Sequence, residues 1–425
     1  MSITRRTVLT GAGGVLGAGA LAATSAATPS ARAAQTAATL PAPGASGIEH
    51  VVVVMMENRS FDHYLGWLPG ARGRQAGLTF TDRYGLPHAT HHLQDTQGCA
   101  HPDPDHSFEG GRIELNGGAC DGWLRAGEND EFAIGYYTDS DLAFYGRAAR
   151  DWTVCDHYFS AIMAETYPNR FYQHAAQTDR IHNSTAVATM PTIWDRLAAA
   201  DVPARYYFVD VPFTALWGTA YEAISSPFPR FLADAAAGTL PAVSFVDPKF
   251  LDEGTGSSAD DHPHADIRAG QSFLDQVYDA VRTGPGWDKT VLVVNYDEWG
   301  GFFDHVAPSY APDAHPEWGL RGFRVPCLVI SPMARRGYVA KDVYDHASVL
   351  AMIEWRWGLE PLTPRDAGAR NLAEVLDFTL RDLGSPTYSV PPFVGLACPA
   401  GGFADYEDWN ALKQLALDHG WSLPR

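Results

Sequence analysis

Six apolar runs constrain this chain more than any other feature. They are residues 48–56 (IEHVVVVMM), 152–159, 204–209, 242–246, 290–296 (TVLVVNY) and 325–330 (VPCLVI). Several are β-branched and apolar on both faces, so they read as strands covered on both sides, the habit of parallel sheets. Helical patterns at 192–200, 267–282 and 347–357 alternate with them. Strand and helix in alternation predict an α/β domain with a largely parallel sheet. Ligands of such sheets bind outside the carboxyl ends of the strands. The residues that follow each run are therefore the first place to look for chemistry.

The N-terminus reads as an address. Arg5 and Arg6 precede a Gly/Ala-rich apolar run, and Ala31-Arg32-Ala33 offers small residues to a signal peptidase. Residues 1–33 are expected to be a twin-arginine signal peptide, read by the twin-arginine export machinery and cleaved, giving a secreted or periplasmic protein. The run is too short and too poor in large apolar residues for a stable membrane anchor. Residues 34–46 read as a flexible mature N-terminus, and residues 47–425 as one catalytic domain. Residues 81–145, rich in Gly, Asp, His and aromatics, read as a lid-like insertion.

The net charge is -19, and loss of Arg5, Arg6 and Arg32 makes the mature chain more acidic still. Such a chain is repelled by phosphate backbones, so no nucleic-acid partner is expected. The five cysteines form no CxxC pair, which leaves a cysteine zinc site without support. Cys99 and Cys120 flank one loop-like stretch and are the expected disulfide, which an exported protein permits. Cys155 and Cys327 lie in apolar runs and read as buried thiols.

Two strand ends carry paired oxygen ligands. The run at 48–56 ends in Glu57-Asn58, and the run at 290–296 ends in Asp297-Glu298. Three carboxylates and an amide at one crevice call for a cation. Thr166-Tyr167-Pro168-Asn169-Arg170 opens a helical pattern, where Thr166 serves as an N-cap or as a hydroxyl nucleophile facing a phosphate. Asp105-His106, Asp261-His262-Pro263-His264, Asp304-His305 and Asp345-His346 each set a carboxylate beside an imidazole. Such pairs suit general acid work and the stabilisation of charged oxygens in phosphoryl transfer.

These residues resemble the bacterial phosphoesterase family, which holds phosphatidylcholine-type phospholipases C, plant non-specific phospholipases C and certain acid phosphatases. The resemblance runs from Met55-Met56-Glu57-Asn58-Arg59-Ser60-Phe61-Asp62 through Asp105-His106-Ser107-Phe108 and Thr166-Tyr167-Pro168-Asn169-Arg170. It continues at His262-Pro263-His264-Ala265-Asp266 and Asp297-Glu298-Trp299-Gly300-Gly301-Phe302-Phe303-Asp304-His305, and ends at Asp345-His346-Ala347-Ser348. It implies an alkaline-phosphatase-like three-layer α/β/α sandwich. It also implies a divalent metal on Glu57, Asn58, Asp297, Glu298 and Thr166, with Thr166 as nucleophile. His106 and His262 match the substrate-phosphate histidines, His264 holds a variable position, and His305 matches the motif without a clear role. Oxygen-rich ligands suit Ca²⁺, Mg²⁺ or Mn²⁺, and Zn²⁺ also accepts carboxylates.

The chain departs from many phospholipase C members at Ala164-Glu165, where they carry Gly-Pro, and at Tyr167, where they carry His. Their C-terminal β-rich domains are also expected to be absent. The resulting expectation is an exported phosphoric-ester hydrolase, phospholipase C-like, cleaving phospholipid phosphodiesters through a phosphothreonine. Its alternatives are an acid phosphatase acting on small phosphoesters, a non-catalytic metal- or phosphate-binding protein and, more remotely, a sulfatase-like enzyme. The aromatics Trp123, Phe132, Tyr136, Tyr137, Trp299, Phe302 and Phe303 line an entrance for an apolar tail or pack a core.

Overall fold

The computed structural model describes residues 40–399 and 407–424. The leader at 1–33 and residues 34–39 lie outside the described residues. Eight strands build the central sheet: β1 (His50–Met56), β2 (Thr153–Cys155), β3 (Ala204–Phe208), β4 (Ser225–Pro227), β5 (Val243–Asp247), β6 (Thr290–Tyr296), β7 (Cys327–Ile330) and β8 (Tyr338–Ala340). Their order is β8-β2-β7-β6-β1-β5-β3-β4. All neighbours are parallel except β7, which runs against both β6 and β2.

The apolar runs explain this order. Val51, Val52, Val53 and Val54 of β1 are wholly buried, as is every residue of β6. Each fully buried Val or Leu contributes about 1.5–3 kcal/mol, so the two most apolar runs sit side by side near the middle of the sheet. Met56 pairs with Tyr296, so Glu57 and Asp297 leave the sheet as neighbours. Val54 pairs with Val246, which brings Asp247 at the end of β5 to the same edge.

Seven helices matter for the site: α1 (Phe108–Leu115), α2 (Thr166–Ala175), α3 (Ile193–Ala199), α4 (Phe228–Ala237), α5 (Ile267–Thr283), α6 (His346–Trp357) and α7 (Trp409–Asp418). Helix α2 packs on α3 and α6, while α4 packs on α5. With the sheet between such helices, the fold is the expected α/β/α sandwich. Asp266 caps α5 by accepting from the Arg268 amide, and Asp345 caps α6 in a capping box with Ser348.

The structure corrects four local readings. The apolar run at 152–159 is two strands: β2 stays in the main sheet, and Tyr158–Phe159 pairs with Tyr344–Asp345 instead. Asp156 breaks the run, because its carboxylate accepts from the Arg72 amide and from Lys341. Residues 81–145 are not loop alone. They carry α1, and Trp123, Leu124 and Ile134 pack with Trp299, Phe303 and Phe323 in a small second core. Within 34–46, the described part is shaped: Pro43–Ala45 forms a 3-10 turn and Ser46 is buried. Finally, the disulfide joins Cys99 to Cys398, not to Cys120. Cys120 is a buried thiol packed in the second core, and Cys155 and Cys327 are buried thiols as expected.

Thiol alkylation of the denatured, unreduced protein is therefore expected to label Cys120, Cys155 and Cys327 only, with Cys99 and Cys398 recovered in one linked peptide by mass spectrometry. Cys398→Ser should lower unfolding stability by about 2–4 kcal/mol, the usual worth of a disulfide closing a long loop, as read by chemical denaturation.

Candidate active site

Thr166 is the first residue of α2, and the N-cap is Glu165. Thr166 is thus not the cap that sequence spacing allowed. Its hydroxyl donates instead to Oδ1 of Asn58 at 3.2 Å. Asn58 holds φ +60°, a left-handed conformation that Asn tolerates better than most residues. Gly300 is required beside it, since a Cβ there would lie 2.2 Å from the Asn58 carbonyl oxygen.

Arg170 stands four residues after Thr166, on the same face of α2. Its Nε donates to Glu57 Oε1 at 3.2 Å and to Asp297 Oδ2 at 3.0 Å. Its Nη1 lies 3.5 Å from Asp247 Oδ1. The Asn58 amide donates to Asp297 Oδ1 at 3.3 Å, and the Gly300 amide to Glu298 Oε2 at 2.7 Å. Thr166, Glu57, Asn58, Asp297 and Glu298, the predicted set, are all brought together and are all fully buried.

The acids exceed the cations around them. Glu57, Glu253 and Asp260 offer carboxylate oxygens within 4.8 Å of one another. Burial, only partly offset by Arg170, holds the Glu57 carboxyl well above its usual range, and burial with the same offset raises Asp297 to about 6. Burial pushes Glu298 well up against the opposing pull of His106, and pushes Asp260 to about 7. Glu57 Oε2, Glu298 Oε1 and Asp260 Oδ2 are buried and accept no hydrogen bond from the described residues. Buried, raised, unsatisfied carboxylates with hard oxygen donors fit a divalent cation.

A second group of side chains adjoins the first. His106 Nδ1 bonds the Pro104 carbonyl at 2.8 Å, and Nε2 bonds Glu407 Oε1 at 2.7 Å. With an acceptor at each nitrogen, the ring is a double donor, the imidazolium form. Burial opposes that charge, but Glu298, Asp103 and Glu407 hold it well above the ordinary histidine range. The His262 ring lies 5.6 Å from it, centroid to centroid. Burial is again outweighed, here by Glu253, Asp103 and Glu407, which raise His262 to about 10. An open cavity of about 430 Å³ reaches this group, lined by His106, Glu165, Asn183 and Glu407 among others.

The other two predicted histidines are placed differently. His264 Nε2 donates to the His101 carbonyl at 2.9 Å, and burial lowers the ring to about 4. His305 Nδ1 bonds Asp62 in a cluster with Asp304 and Arg324, which ties the loop after β6 to the segment after β1. The aromatics are core: Trp123, Phe132, Tyr137, Trp299, Phe302 and Phe303 are buried, and only Tyr136 is half-buried. Arg170, Asp103, Glu253, Asp260 and Glu407 received no role from the sequence. The spacing of Arg170 from Thr166 and the acidic pair before His262 were signals for two of them.

A sequence model of the Phosphoesterase family matches residues 48–360. The chain belongs to the phosphoesterase family. This phosphoesterase is 30% identical over 379 residues to non-specific phospholipase C6 of Arabidopsis thaliana, covering 78% of this chain and 72% of that one. It is 31% identical over 396 residues to phospholipase C A of Mycobacterium tuberculosis, covering 75% of each chain. A solved protein of the alkaline phosphatase superfamily from Vibrio parahaemolyticus superposes with a TM-score of 0.39 at 9% identity, over 76% of this chain and 69% of that one. The phosphoesterase is a phosphoric-ester hydrolase, phospholipase C-like in its relatives.

Arg170→Met should destabilise the protein by about 3–5 kcal/mol, the usual result of leaving a buried charge cluster without its partner, measured by denaturant unfolding. The pH dependence has a definite sign. Asp297 and Asp260, raised to about 6 and about 7, bind protons more tightly folded than unfolded. Their stabilising contribution is intact below the ordinary carboxylate range and is lost as pH rises through those values. A divalent cation replaces those protons, so it should raise Tm more at about pH 7.5 than at about pH 5. Thermal unfolding with chelator and with added cation reads the difference.

Proposed function

We propose that this phosphoesterase is an exported, metal-dependent enzyme of the phospholipase C kind, cleaving phosphodiesters of phospholipids through a phosphothreonine intermediate. The observation that carries the reading is the Thr166 hydroxyl bonded to Asn58 and set among Glu57, Asp297 and Glu298. A divalent cation held by Glu57, Asn58, Asp297 and Glu298, with Thr166, would supply the positive charge that lowers the threonine pKa and balances anionic oxygens.

The chain's own residues do the rest. Thr166 gives up its hydroxyl proton to solvent, its Oγ1 attacks phosphorus, and the bond from phosphorus to the glycerol oxygen breaks. His106, held as imidazolium, gives its proton to the departing alcohol. His262 donates to the non-bridging oxygens as charge collects there. Water, giving a proton to the now neutral His106, then attacks the phosphothreonine and releases the phosphorylated head group, and Thr166 Oγ1 regains its proton from solvent. Arg170 keeps Glu57 and Asp297 in place beside the nucleophile. Export is supported by the twin-arginine leader of the sequence and by the Cys99–Cys398 disulfide, which belongs to an oxidising compartment.

The test is a paired assay of the purified enzyme on a phosphorylcholine diester and a chromogenic phosphomonoester, each with and without chelator. Diester turnover is expected to dominate, to release diacylglycerol from phospholipid and to stop on chelation. Thr166→Ala should lose at least about 10³-fold in kcat with the fold intact. Dominant monoester turnover would place the enzyme with the acid phosphatases of the family. A folded, fully active Thr166→Ala would remove the phosphothreonine.

A further inference from the structure

Glu407 lies outside residues 48–360, the part matched by the family. Its side chain nevertheless reaches the centre of the site, 1% exposed. Oε1 accepts from His106 Nε2 at 2.7 Å and faces His262 Nε2 at 3.5 Å, and Oε2 accepts from the Asn183 amide. Three donors from distant parts of the chain converge on one carboxylate. The two imidazoles are those assigned above to the phosphate and the leaving group, so the inference rests on that reading. A carboxylate and a phosphate present the same kind of paired anionic acceptor to such donors.

The carboxylate is also firmly delivered. Trp409, two residues on, stacks on Phe250 at 4.0 Å with an interplanar angle of 5°. The same indole lies against Tyr167, the residue after the nucleophile, at 5.2 Å between ring centroids. On the other side, Cys398 is bonded to Cys99. Glu407 itself lines the open cavity, beside His106 and Asn183.

We propose that Glu407 is an internal competitor for the phosphate seat. It occupies the position between His106, His262 and Asn183 that an ester phosphate takes, and it has to withdraw before an anion binds. It thereby holds down the affinity for small free phosphates, which bring no other contacts to displace it. A substrate with a large remote portion draws on that portion's binding to move the carboxylate aside.

The experiment titrates inorganic phosphate into the full mature enzyme by calorimetry, for the wild type, Glu407→Gln and Glu407→Ala. A seat open only a tenth of the time binds about tenfold more weakly than a free one. The Ala variant is expected to bind phosphate about tenfold more tightly or better, and the Gln variant to move the same way by less. KM for the diester should fall in parallel. Gln preserves size and an acceptor, so it carries the test if Ala fails to fold. Phosphate affinity that is unchanged, weakened or undetectable in every form overturns the proposal. So does a collapse of kcat at constant KM, which would make Glu407 a positioning group for the imidazoles. Hydrolysis is read separately: if phosphate binding tightens in both variants while none of the three forms turns over ester, the competitor stands and the hydrolase reading falls.

Discussion

One guanidinium holds the site together. Arg170 spans Glu57 after β1, Asp247 at the end of β5 and Asp297 after β6, while its helix presents Thr166 one turn earlier. Three parallel strands end at one edge because their apolar registers demand it, and that edge would otherwise collect only carboxylates. Burial opposes the charge on Arg170, yet the three acids around it keep it firmly ionised. A fully buried arginine of this kind is worth little in net stability but leaves no freedom in the geometry around it. The position of Thr166 beside Asn58 and Asp297 is therefore set by the same contact that makes the strand ends tolerable.

The rest of the scaffold repeats the device. Arg324 is bonded to Asp62 and Asp304, fixing the loops after β1 and β6 against each other. Arg365 reaches Asp313 and Asp345, and Arg321 reaches Asp345 as well. Burial opposes the ionisation of Asp345, but the two guanidiniums bring it down to about 2, so it stays a charged cap for α6. Long loops that leave a central sheet carry many polar groups into the interior. Planar, multidentate arginines satisfy several of them at once.

Against these closed clusters, the group around Thr166 and His106 stands out by being incompletely balanced. The acids after β1 and β6 share Arg170 and still leave oxygens without donors. The imidazoles of His106 and His262 meet more carboxylates than they can neutralise. A structural ion network tends toward satisfaction, whereas a reaction centre keeps unspent charge for the ligand.

Much of this was legible in the linear chain. Two-sided apolar runs marked the strands, since only burial on both faces tolerates such sequences, and strand ends named Glu57, Asn58, Asp297 and Glu298. Thr166 was visible as a helix start, and the clustered motifs placed the family. What no local pattern carried was contact between distant segments. The pairing of Cys99 with Cys398, the arrival of Glu407 at His106, and the split of the run at 152–159 by Asp156 depend on which segments the folded sheet brings side by side. The motif placed His305 with the other histidines, but only the tertiary structure shows it spent on Asp62. Periodicity encodes burial and local geometry, so the sequence by itself determined the layers and the edge where chemistry sits. The partners of each charge are chosen by distance in space, and that only the fold decided.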